Sequence, residues 1–270
     1  MQLSGKSIVI TGASAGIGRE LARQLAAKGA KLSLAARSAE ALEETRNECV
    51  KAGASAISVA ADVSHLDDCR RLIDHTLEEF GTIDVLINNA GISIYSAFDK
   101  ITDLQVFQRL MEINFLGAVY CTHFALPHLK QTRGLLVAIS SIQGKTGFPG
   151  SSAYSASKHA MQGFFDSLRI ELLSTGVDVL VVSPGPVATT IHTRRLGGDG
   201  KLSEESLDRP NDRGMPVVVC ARQIVKAIER RRRELLMTAA GKAGQWAKLI
   251  APGMIDRFVA DAVERFYKEH

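Results

Sequence analysis

Residues 7–18 read SIVITGASAGIG, a short apolar run that leads directly into a turn containing Gly12, Gly16 and Gly18. Glycine adopts tight backbone geometry and lets the main chain approach a ligand closely. An amphipathic stretch begins at Ile17, so the sequence predicts a strand, a glycine-rich turn and a helix whose N-terminus suits a pyrophosphate. Because the spacing GxxxGxG differs from the common GxGxxG dinucleotide pattern, a plain strand-to-helix turn is the alternative.

The same succession of apolar runs and amphipathic stretches continues along the chain. Near-continuous apolar runs suit strands that are buried on both faces of a parallel sheet. The repeated strand and helix units predict an α/β fold, a single-domain Rossmann-like, doubly wound parallel sheet of about seven strands with helices on both faces. The predicted strands are 7–11, 31–36, 55–61, 83–89, 134–140, 177–183 and 234–238. After the helix that begins near Ile17, the predicted helices are 39–52, 66–80, 103–131, 152–174 and 217–231.

Composition excludes several classes of protein. The 33 basic residues nearly balance the 29 acidic ones, so no nucleic-acid partner is expected. The basic run 230–233 is interpreted as a solvated helix end, with a nucleic-acid or phospholipid patch as the alternative. The 4 cysteines are scattered without metal-ligand spacing, which predicts reduced thiols, no metal and a cytoplasmic protein. We expect no signal peptide, because the N-terminal residues run almost directly into the first predicted strand. We expect no transmembrane span, since no apolar run reaches about 18 residues.

Residues 1–270 are expected to form one domain with two additions. The stretch from about 186 to 216 is too long and polar for an ordinary connection, which predicts a substrate lid. Residues 241–270 predict a helical C-terminal extension with an amphipathic pattern. The apolar face of that extension can cover the chain's own pocket, a neighbouring subunit or a membrane surface. Packing on protein is the preferred interpretation, and peripheral membrane contact is the alternative.

The end of the second predicted strand carries a signal for cofactor choice. Arg37 and Ser38 follow this strand directly. An acidic residue near this point binds the ribose hydroxyls in NAD-selective folds, whereas an arginine accommodates the 2′-phosphate of NADP. Arg37, assisted by Ser38 and Ser14, therefore predicts NADP(H). The alternative is a solvent-facing arginine at the start of the next helix.

The stretch YSASK places Tyr154 and Lys158 four residues apart, on one face of a predicted helix. A ketone that accepts a hydride needs a proton, and a donor works best when its pKa lies near the working pH. An ammonium group within about 4–6 Å favours the phenolate and lowers the phenol pKa. The pair therefore suits acid/base catalysis, with a plain surface pair as the alternative. Ser141 ends a predicted strand and is expected to face the same crevice.

Together these pieces resemble the short-chain dehydrogenase/reductase superfamily from residue 5 to about 190, closest in pattern to the branch of 11β-hydroxysteroid dehydrogenase and its relatives. The resemblance depends on seven motifs in order. They are TGASAGIG at 11–18, Asp62-Val63, NNAG at 88–91, Asn114, Ser141, Tyr154-x-x-x-Lys158 and PGPVAT at 184–189.

The resemblance implies a role for each matching residue. Tyr154 matches the general acid/base, and Ser141 matches the hydroxyl that orients the substrate carbonyl. Lys158 matches the ammonium that binds the nicotinamide ribose and lowers the phenol pKa. Asn114 matches a residue whose helical distortion supports a proton-relay water. The implied cofactor contacts are Gly12, Ser14, Gly16, Ile17, Gly18, Arg37, Ser38, Asp62, Val63, Asn88, Ala90, Gly91, Tyr154, Lys158, Pro184, Gly185, Val187 and Thr189.

One position departs from the family pattern. Many NADP-dependent members carry a basic residue immediately before the second glycine of the motif, where this chain has Ala15. Arg37 is then the main group left for the 2′-phosphate. The histidines His123, His128 and His159 are interpreted as non-catalytic, because their spacing does not pair two ligands on one helix face.

The expected function is reversible, NADP(H)-dependent hydride transfer between a nicotinamide and a carbonyl or secondary alcohol, with pro-S delivery implied by the resemblance. Apolar residues in the loops near Ser141 favour an aliphatic, aromatic or steroid-like ketone, with a 3-oxoacyl thioester as an alternative. An NADPH-binding sensor or scaffold without turnover is the competing hypothesis. Helices 103–131 and 152–174 are expected to form the interface of a homodimer or homotetramer, as the resemblance implies.

Overall fold

The computed structural model of the chain describes residues 1–189, 191, 195–202, 214–238 and 246–268, with side chains as far as Asp261. Within these ranges the strands are β1 (Ser7–Thr11), β2 (Lys31–Ala36), β3 (Ala56–Ala60), β4 (Val85–Asn88), β5 (Leu135–Ile139), β6 (Asp178–Ser183), β7 (Val187–Ala188), β8 (Met215–Pro216) and β9 (Glu234–Leu236). The α-helices are α1 (Gly16–Ala26), α2 (Ala39–Lys51), α3 (Leu66–Phe80), α4 (Gln105–Met111), α5 (Gly117–Thr132), α6 (Ser152–Glu171), α7 (Val217–Glu229) and α8 (Pro252–Lys268).

Seven of these strands form one parallel sheet in the order β3-β2-β1-β4-β5-β6-β9, and β7 pairs with β8 in a separate short ribbon. Strand β1 pairs with β2 on one side and with β4 on the other. The strand order therefore reverses between β1 and β4, which opens a crevice at their carboxyl ends. The predicted fold class is confirmed, since the sheet is parallel and carries helices on both faces.

The two faces of the sheet belong to two separate apolar cores. On β1, Ile8 and Ile10 pack into the core formed with α1, α2 and α7, whereas Val9 packs into the core formed with α3, α5 and α6. All five residues of β1 are buried. Burial on both faces explains why the strands read as continuous apolar runs instead of alternating ones.

One predicted helix, 103–131, has an interruption. It consists of α4 and α5 joined by a π-helical turn at Glu112–Leu116. Such turns are frequent at functional sites, because the extra residue displaces the backbone locally. This turn contains Asn114, where the resemblance implies a helical distortion.

The predicted lid, 186–216, falls partly outside the described residues, at 190, 192–194 and 203–213. Its described part, 195–202, lies on the loop that follows β4. Leu196 donates its N–H to the Ser93 carbonyl over 2.9 Å, and Gly198 accepts from Thr102 at 2.9 Å. Of the predicted extension 241–270, residues 241–245 and 269–270 also lie outside the described part, and 246–250 and α8 are helical. None of the helices within the described ranges is both long and apolar enough to span a membrane.

Candidate active site

The glycine-rich turn lies at the reversal of strand order. Gly12 and Gly16 have left-handed φ angles of +66° and +55°, which favour glycine. Gly18 lies inside α1, where a Cβ atom would stand 2.2 Å from the Gly12 carbonyl oxygen. A Cβ on Gly12 would in turn stand 2.8 Å from the Ala90 Cα. Two of the glycines therefore let the turn, the helix and the loop after β4 pack closely together.

Two residues that sequence reasoning missed hold this turn in place. The Asn89 side chain donates to the Thr11 carbonyl at 2.9 Å and to the Gly12 carbonyl at 3.2 Å. The Thr11 hydroxyl accepts from the backbone N–H groups of Asn89 and Ala90, both at 3.0 Å. The sequence contains a partial signal, because each residue stands at the end of a predicted strand, but it does not show that the two strands are neighbours. Asn88 instead faces the interior and donates to the Thr122 hydroxyl at 3.1 Å.

The N-terminus of α1 fits a dinucleotide phosphate. Its cap residue, Ala15, forms no side-chain cap, and the first turn holds no acidic residue. The first backbone N–H groups of a helix have no partner within the helix, so they remain available to an anion. Ser14 and Ile17, both half-buried, flank this position. The predicted phosphate contacts therefore lie together in one place.

The loops after β2 and β3 carry the residues predicted to contact the adenosine part of the cofactor. Arg37 is exposed and forms no ion pair with any residue that the structure describes, whereas Arg19 of α1 is held by Glu48 at 2.7 Å. The Ser38 hydroxyl caps α2 by accepting from the Ala41 N–H at 3.4 Å. Arg37 is thus free to meet an added phosphate.

Asp62 and Val63, the other predicted adenosine contacts, follow β3 and are held by local contacts. The Asp62 carboxylate accepts from the backbone and the hydroxyl of Ser64, at 3.0 and 2.7 Å. Val63 is buried, and a Cβ on Gly117 would stand 2.7 Å from its side chain. The close approach of α5 therefore fixes the position of Val63.

Ser141 and Tyr154 meet at the carboxyl end of β5. The Ser141 hydroxyl oxygen accepts from the Gln143 N–H at 3.1 Å, which orients the hydroxyl. Burial raises the pKa of Tyr154 to about 12, and a hydrogen bond from the Ser141 hydroxyl offsets part of that rise. Tyr154 also packs against an apolar cluster that contains Ile94 and Ala153.

Lys158 lies one helical turn after Tyr154 and is buried. Its ammonium donates to the Ile139 carbonyl at 2.9 Å and lies 5.7 Å from the centre of the Tyr154 ring. Burial lowers the pKa of Lys158 to about 8. The expected lowering of the Tyr154 pKa by Lys158 is not found: burial has the largest effect on that pKa, and the Lys158 ammonium donates to the Ile139 carbonyl instead.

Asn114 joins the loop after β4 to α6. Its side-chain oxygen accepts from the Ile92 N–H at 2.8 Å, and its amide donates to the Ile92 carbonyl at 3.0 Å and to the Ser157 hydroxyl at 2.9 Å. A Cβ on Gly91 would stand 3.1 Å from the Asn114 side-chain oxygen. Asn114 therefore fixes the loop and the catalytic helix relative to each other.

The segment after β6 closes the site on its remaining side. The Pro184 carbonyl accepts from the Ile142 N–H at 2.9 Å, which places it beside Ser141. Val187 and Thr189 are buried, and a Cβ on Gly16 would stand 3.5 Å from the Thr189 side chain. A Cβ on Gly185 would stand 2.5 Å from Thr238. Thr189 thus lies beside the glycine-rich turn.

Replacing Lys158 with Met should flatten the pH dependence of unfolding between pH 8 and pH 10. The ordinary lysine pKa of 10.5 falls to about 8 on folding, so in this window the unfolded chain binds a proton that the folded chain does not. The free energy of unfolding therefore rises with pH, by about 2–3 kcal/mol over the window. Above pH 10 the raised pKa of Tyr154 lowers the free energy of unfolding as the pH rises, because the folded chain then keeps a phenol proton that the unfolded chain loses.

Chemical denaturation at several pH values measures this slope. Lys130→Met, at an exposed position of α5, is the control that should retain the slope of the unmodified protein. Equal slopes for the Lys158→Met variant and the unmodified protein would show that Lys158 is not the residue responsible.

Comparison with known proteins gives consistent matches. The family model described as short chain dehydrogenase matches residues 6–198. The "dehydrogenase/reductase SDR family protein 7-like" of Dictyostelium discoideum is 33% identical over 270 residues, which cover 96% of this chain and 84% of that protein. The "11-beta-hydroxysteroid dehydrogenase 1A" of Arabidopsis thaliana is 38% identical over 260 residues, covering 94% of this chain and 74% of that protein.

A solved structure agrees with these matches. It is a short chain dehydrogenase/reductase from Burkholderia phymatum in complex with NAD, with a TM-score of 0.84 and 27% identity. The match covers 94% of this chain and 96% of that one. The likeness therefore extends over nearly the whole chain, including the crevice described above.

Proposed function

The chain is an oxidoreductase of the short chain dehydrogenase family, in the branch that includes 11-beta-hydroxysteroid dehydrogenase-like proteins, and from this premise we propose that it is an NADP(H)-dependent carbonyl reductase. It transfers a hydride reversibly between nicotinamide C4 and a carbonyl or secondary alcohol. The observation that carries this proposal is the contact of Ser141 with Tyr154, with the buried Lys158 one turn below. A binding protein without turnover has no need of this arrangement.

Each catalytic side chain has a distinct task in the proposed reaction. When bound, the nicotinamide supplies the hydride. Ser141 donates a hydrogen bond to the carbonyl oxygen and holds it beside the Tyr154 hydroxyl. A phenol with a pKa of about 12 is protonated at neutral pH, which is the form needed to donate a proton to the alkoxide that forms. Lys158 supports this transfer by placing a cation where negative charge develops on the phenol oxygen.

Asn114 and Gln143 position Tyr154 and Ser141 in the proposed reaction. Asn114 holds the loop after β4 to α6, so Tyr154 keeps its position relative to the crevice. The Gln143 N–H occupies the Ser141 oxygen and leaves the Ser141 proton to be donated. The Gln143 side chain is itself held, since its oxygen accepts from Ser155 at 3.2 Å. Such supporting bonds reduce the reorganisation needed during the reaction.

Apolar ketones are the proposed substrate class. Ile94 is buried beside Tyr154 and pairs with Leu196 of the described lid segment. Phe148 is half-buried in the loop after Ser141. These groups favour an aliphatic, aromatic or steroid-like body, and the names of the plant relatives point the same way. NADPH oxidation, followed at the nicotinamide absorbance band across a panel of such ketones, tests the proposal, and no oxidation with any of them would contradict it.

NADP(H) is the proposed cofactor because Arg37 is exposed, lacks an ion pair among the described residues and follows β2 directly. Replacing Arg37 with Asp should lower kcat/KM for NADPH by roughly 10- to 100-fold, since a hydrogen bond to a charged group is lost and a like charge replaces it. Catalysis with NADH should be retained or improved. Steady-state kinetics with both cofactors measure the change.

The control for this experiment is Arg222→Asp, which reverses the charge at an exposed position of α7. It should leave the preference between the cofactors unaltered. Unchanged kinetics with both cofactors in the Arg37→Asp variant would refute the role of Arg37.

We also propose a cytoplasmic homodimer or homotetramer. Ile170 and Leu173, at the end of α6 and just beyond it, are 69% and 78% exposed. Apolar surface of this kind suits a contact with a second copy of the chain. This part of the proposal is tested by measuring the molar mass of the purified protein in solution.

A further inference from the structure

Arg195 is a buried arginine without an anionic partner among the described residues. Only 6% of its surface is exposed, and its Nε has no hydrogen-bond partner. Its guanidinium carbon lies 4.8 Å from the centre of the Tyr95 ring. Arg169, whose side chain is 12% exposed, is by contrast paired with Asp166.

A buried guanidinium without a counter-charge is costly, because the interior does not solvate the charge as water does. Stacking on an aromatic ring compensates only part of this cost. The guanidinium offers five donors in a planar fork that matches a carboxylate. Arg195 therefore combines burial with an unpaired Nε donor, as expected of a residue that binds an anion.

Arg195 is linked to the surroundings of Tyr154 through its neighbour in the chain, Leu196. The next residue, Leu196, donates to the Ser93 carbonyl at 2.9 Å and accepts from the Tyr95 N–H at 3.2 Å, so the backbone beside Arg195 is fixed. Leu196 belongs to the same apolar cluster as Ile94, against which Tyr154 packs.

The Tyr95 ring connects Arg195 to the start of the catalytic helix. A Cβ on Gly150, just before α6, would stand 2.6 Å from this ring. Arg195 is therefore at the meeting point of the loop after β4, the segment before α6 and the described lid residues. The first and last of these segments contribute Ile94 and Leu196 to the apolar cluster against which Tyr154 packs.

We propose that Arg195 binds a carboxylate on the substrate, so that the preferred substrate is an oxo acid with an apolar body and an ionised carboxyl group. This inference rests on the proposed carbonyl reductase function and refines its substrate class. The apolar wall around Ile94 contacts the body of the substrate, and Arg195 sets its orientation by two parallel hydrogen bonds. Ser141 and Tyr154 then hold the oxo group.

The test compares aryl-substituted oxo acids of increasing chain length with their methyl esters, which lack the negative charge and carry one additional methyl group. For the best acid, kcat/KM of the unmodified protein with NADPH should exceed that for its ester by roughly 10- to 100-fold. Arg195→Met removes the charge but keeps an apolar chain of similar length. It should abolish this preference and leave activity on the ester intact, whereas Arg195→Lys should retain part of the preference.

Lys201→Met is the control, since it removes one positive charge at an exposed position of the same segment. It should keep the preference for the acid. Thermal unfolding without substrate adds a second measurement: the Tm of the Arg195→Met variant should equal or exceed that of the unmodified protein, because an uncompensated buried charge is removed.

Three results would overturn the inference. They are equal rates for acid and ester in the unmodified protein, an equal loss on both in the Arg195→Met variant, and a lower Tm for that variant, which would indicate a purely structural role. Failure of the proposed function is distinguishable from these, because then neither the acids nor the esters would be reduced.

Discussion

Tyr154→Phe should lower kcat by roughly 10²- to 10⁴-fold, the usual contribution of a positioned acid or base, and leave the affinity for NADPH unchanged. The substitution removes one oxygen atom, the one that accepts the hydrogen bond from Ser141. The ring remains against the Ile94 cluster and beside Lys158. Without the phenol, no other described group stands in contact with Ser141 to protonate the alkoxide. Steady-state turnover of the best carbonyl compound, together with NADPH fluorescence titration, measures both quantities.

The control for this loss is Tyr120→Phe, at a half-buried position of α5. This substitution removes a phenol oxygen from a different helix, and the variant should retain full turnover. Substantial residual activity of the Tyr154→Phe variant on the same substrate would contradict the role of the phenol. Loss of NADPH binding in that variant would show that the substitution disturbs the packing of the ring and does not simply remove the proton donor.

Gly18→Ala should destabilise the fold by about 1–3 kcal/mol or more and weaken NADPH binding at least tenfold. The added methyl would stand 2.2 Å from the Gly12 carbonyl oxygen and 2.6 Å from the Asn89 amide nitrogen. Forcing an extra group into a packed site costs about 1–3 kcal/mol, and a backbone carbonyl yields less readily than a side chain. The turn must shift to relieve the clash, which displaces the helix N-terminus from the phosphate. Chemical denaturation and NADPH titration measure the two effects.

Gly163→Ala is a matched control, because Gly163 also lies inside a helix, α6, but has no atom within 4 Å of the added methyl. Alanine should stabilise this position by about 0.5–1 kcal/mol through its higher helix propensity. The opposite outcome is a Gly18→Ala variant that is stabilised as much as Gly163→Ala and binds NADPH normally. That result would contradict the conclusion that Gly18 is required for the close packing of the turn.

The sheet could be predicted from the sequence because its strands carry a strong local signal. The predicted strand 31–36 coincides with β2, and the predicted helix 66–80 coincides with α3. These strands are buried on both faces, so hydrophobic side chains extend to their ends, and glycine marks the turns. The π-helical turn at Glu112–Leu116 has no periodic pattern in the sequence. A distortion there was expected only because Asn114 matches a family residue at which the helix is distorted.

The side-chain contacts within the site could not be predicted in the same way. Asn89 and Thr11 meet only because β1 and β4 are neighbours, and that order is a property of the whole sheet. The pKa of Tyr154 depends on how deeply the ring is buried, which the YSASK motif does not encode. The burial of Arg195 likewise arises from the loops that enclose it.

The basic run 230–233 is a further case. It was expected to be a solvated helix end, and Arg230, Arg232 and Arg233 are exposed just after α7, whereas Arg231 is half-buried. Its guanidinium pairs with Asp178 and donates to the carbonyls of Arg133 and Gly134, both at 2.9 Å. These partners come from distant parts of the chain, so the local sequence does not reveal them.

Transfer of deuterium from NADPH labelled at the pro-S position of C4 tests the proposed reaction most directly. With the best carbonyl compound, the account predicts one deuterium on the carbinol carbon for each NADPH consumed, and almost no labelled alcohol when Tyr154→Phe replaces the unmodified protein. NADPH consumption without label in the alcohol, or equal labelling by the two proteins, would contradict it.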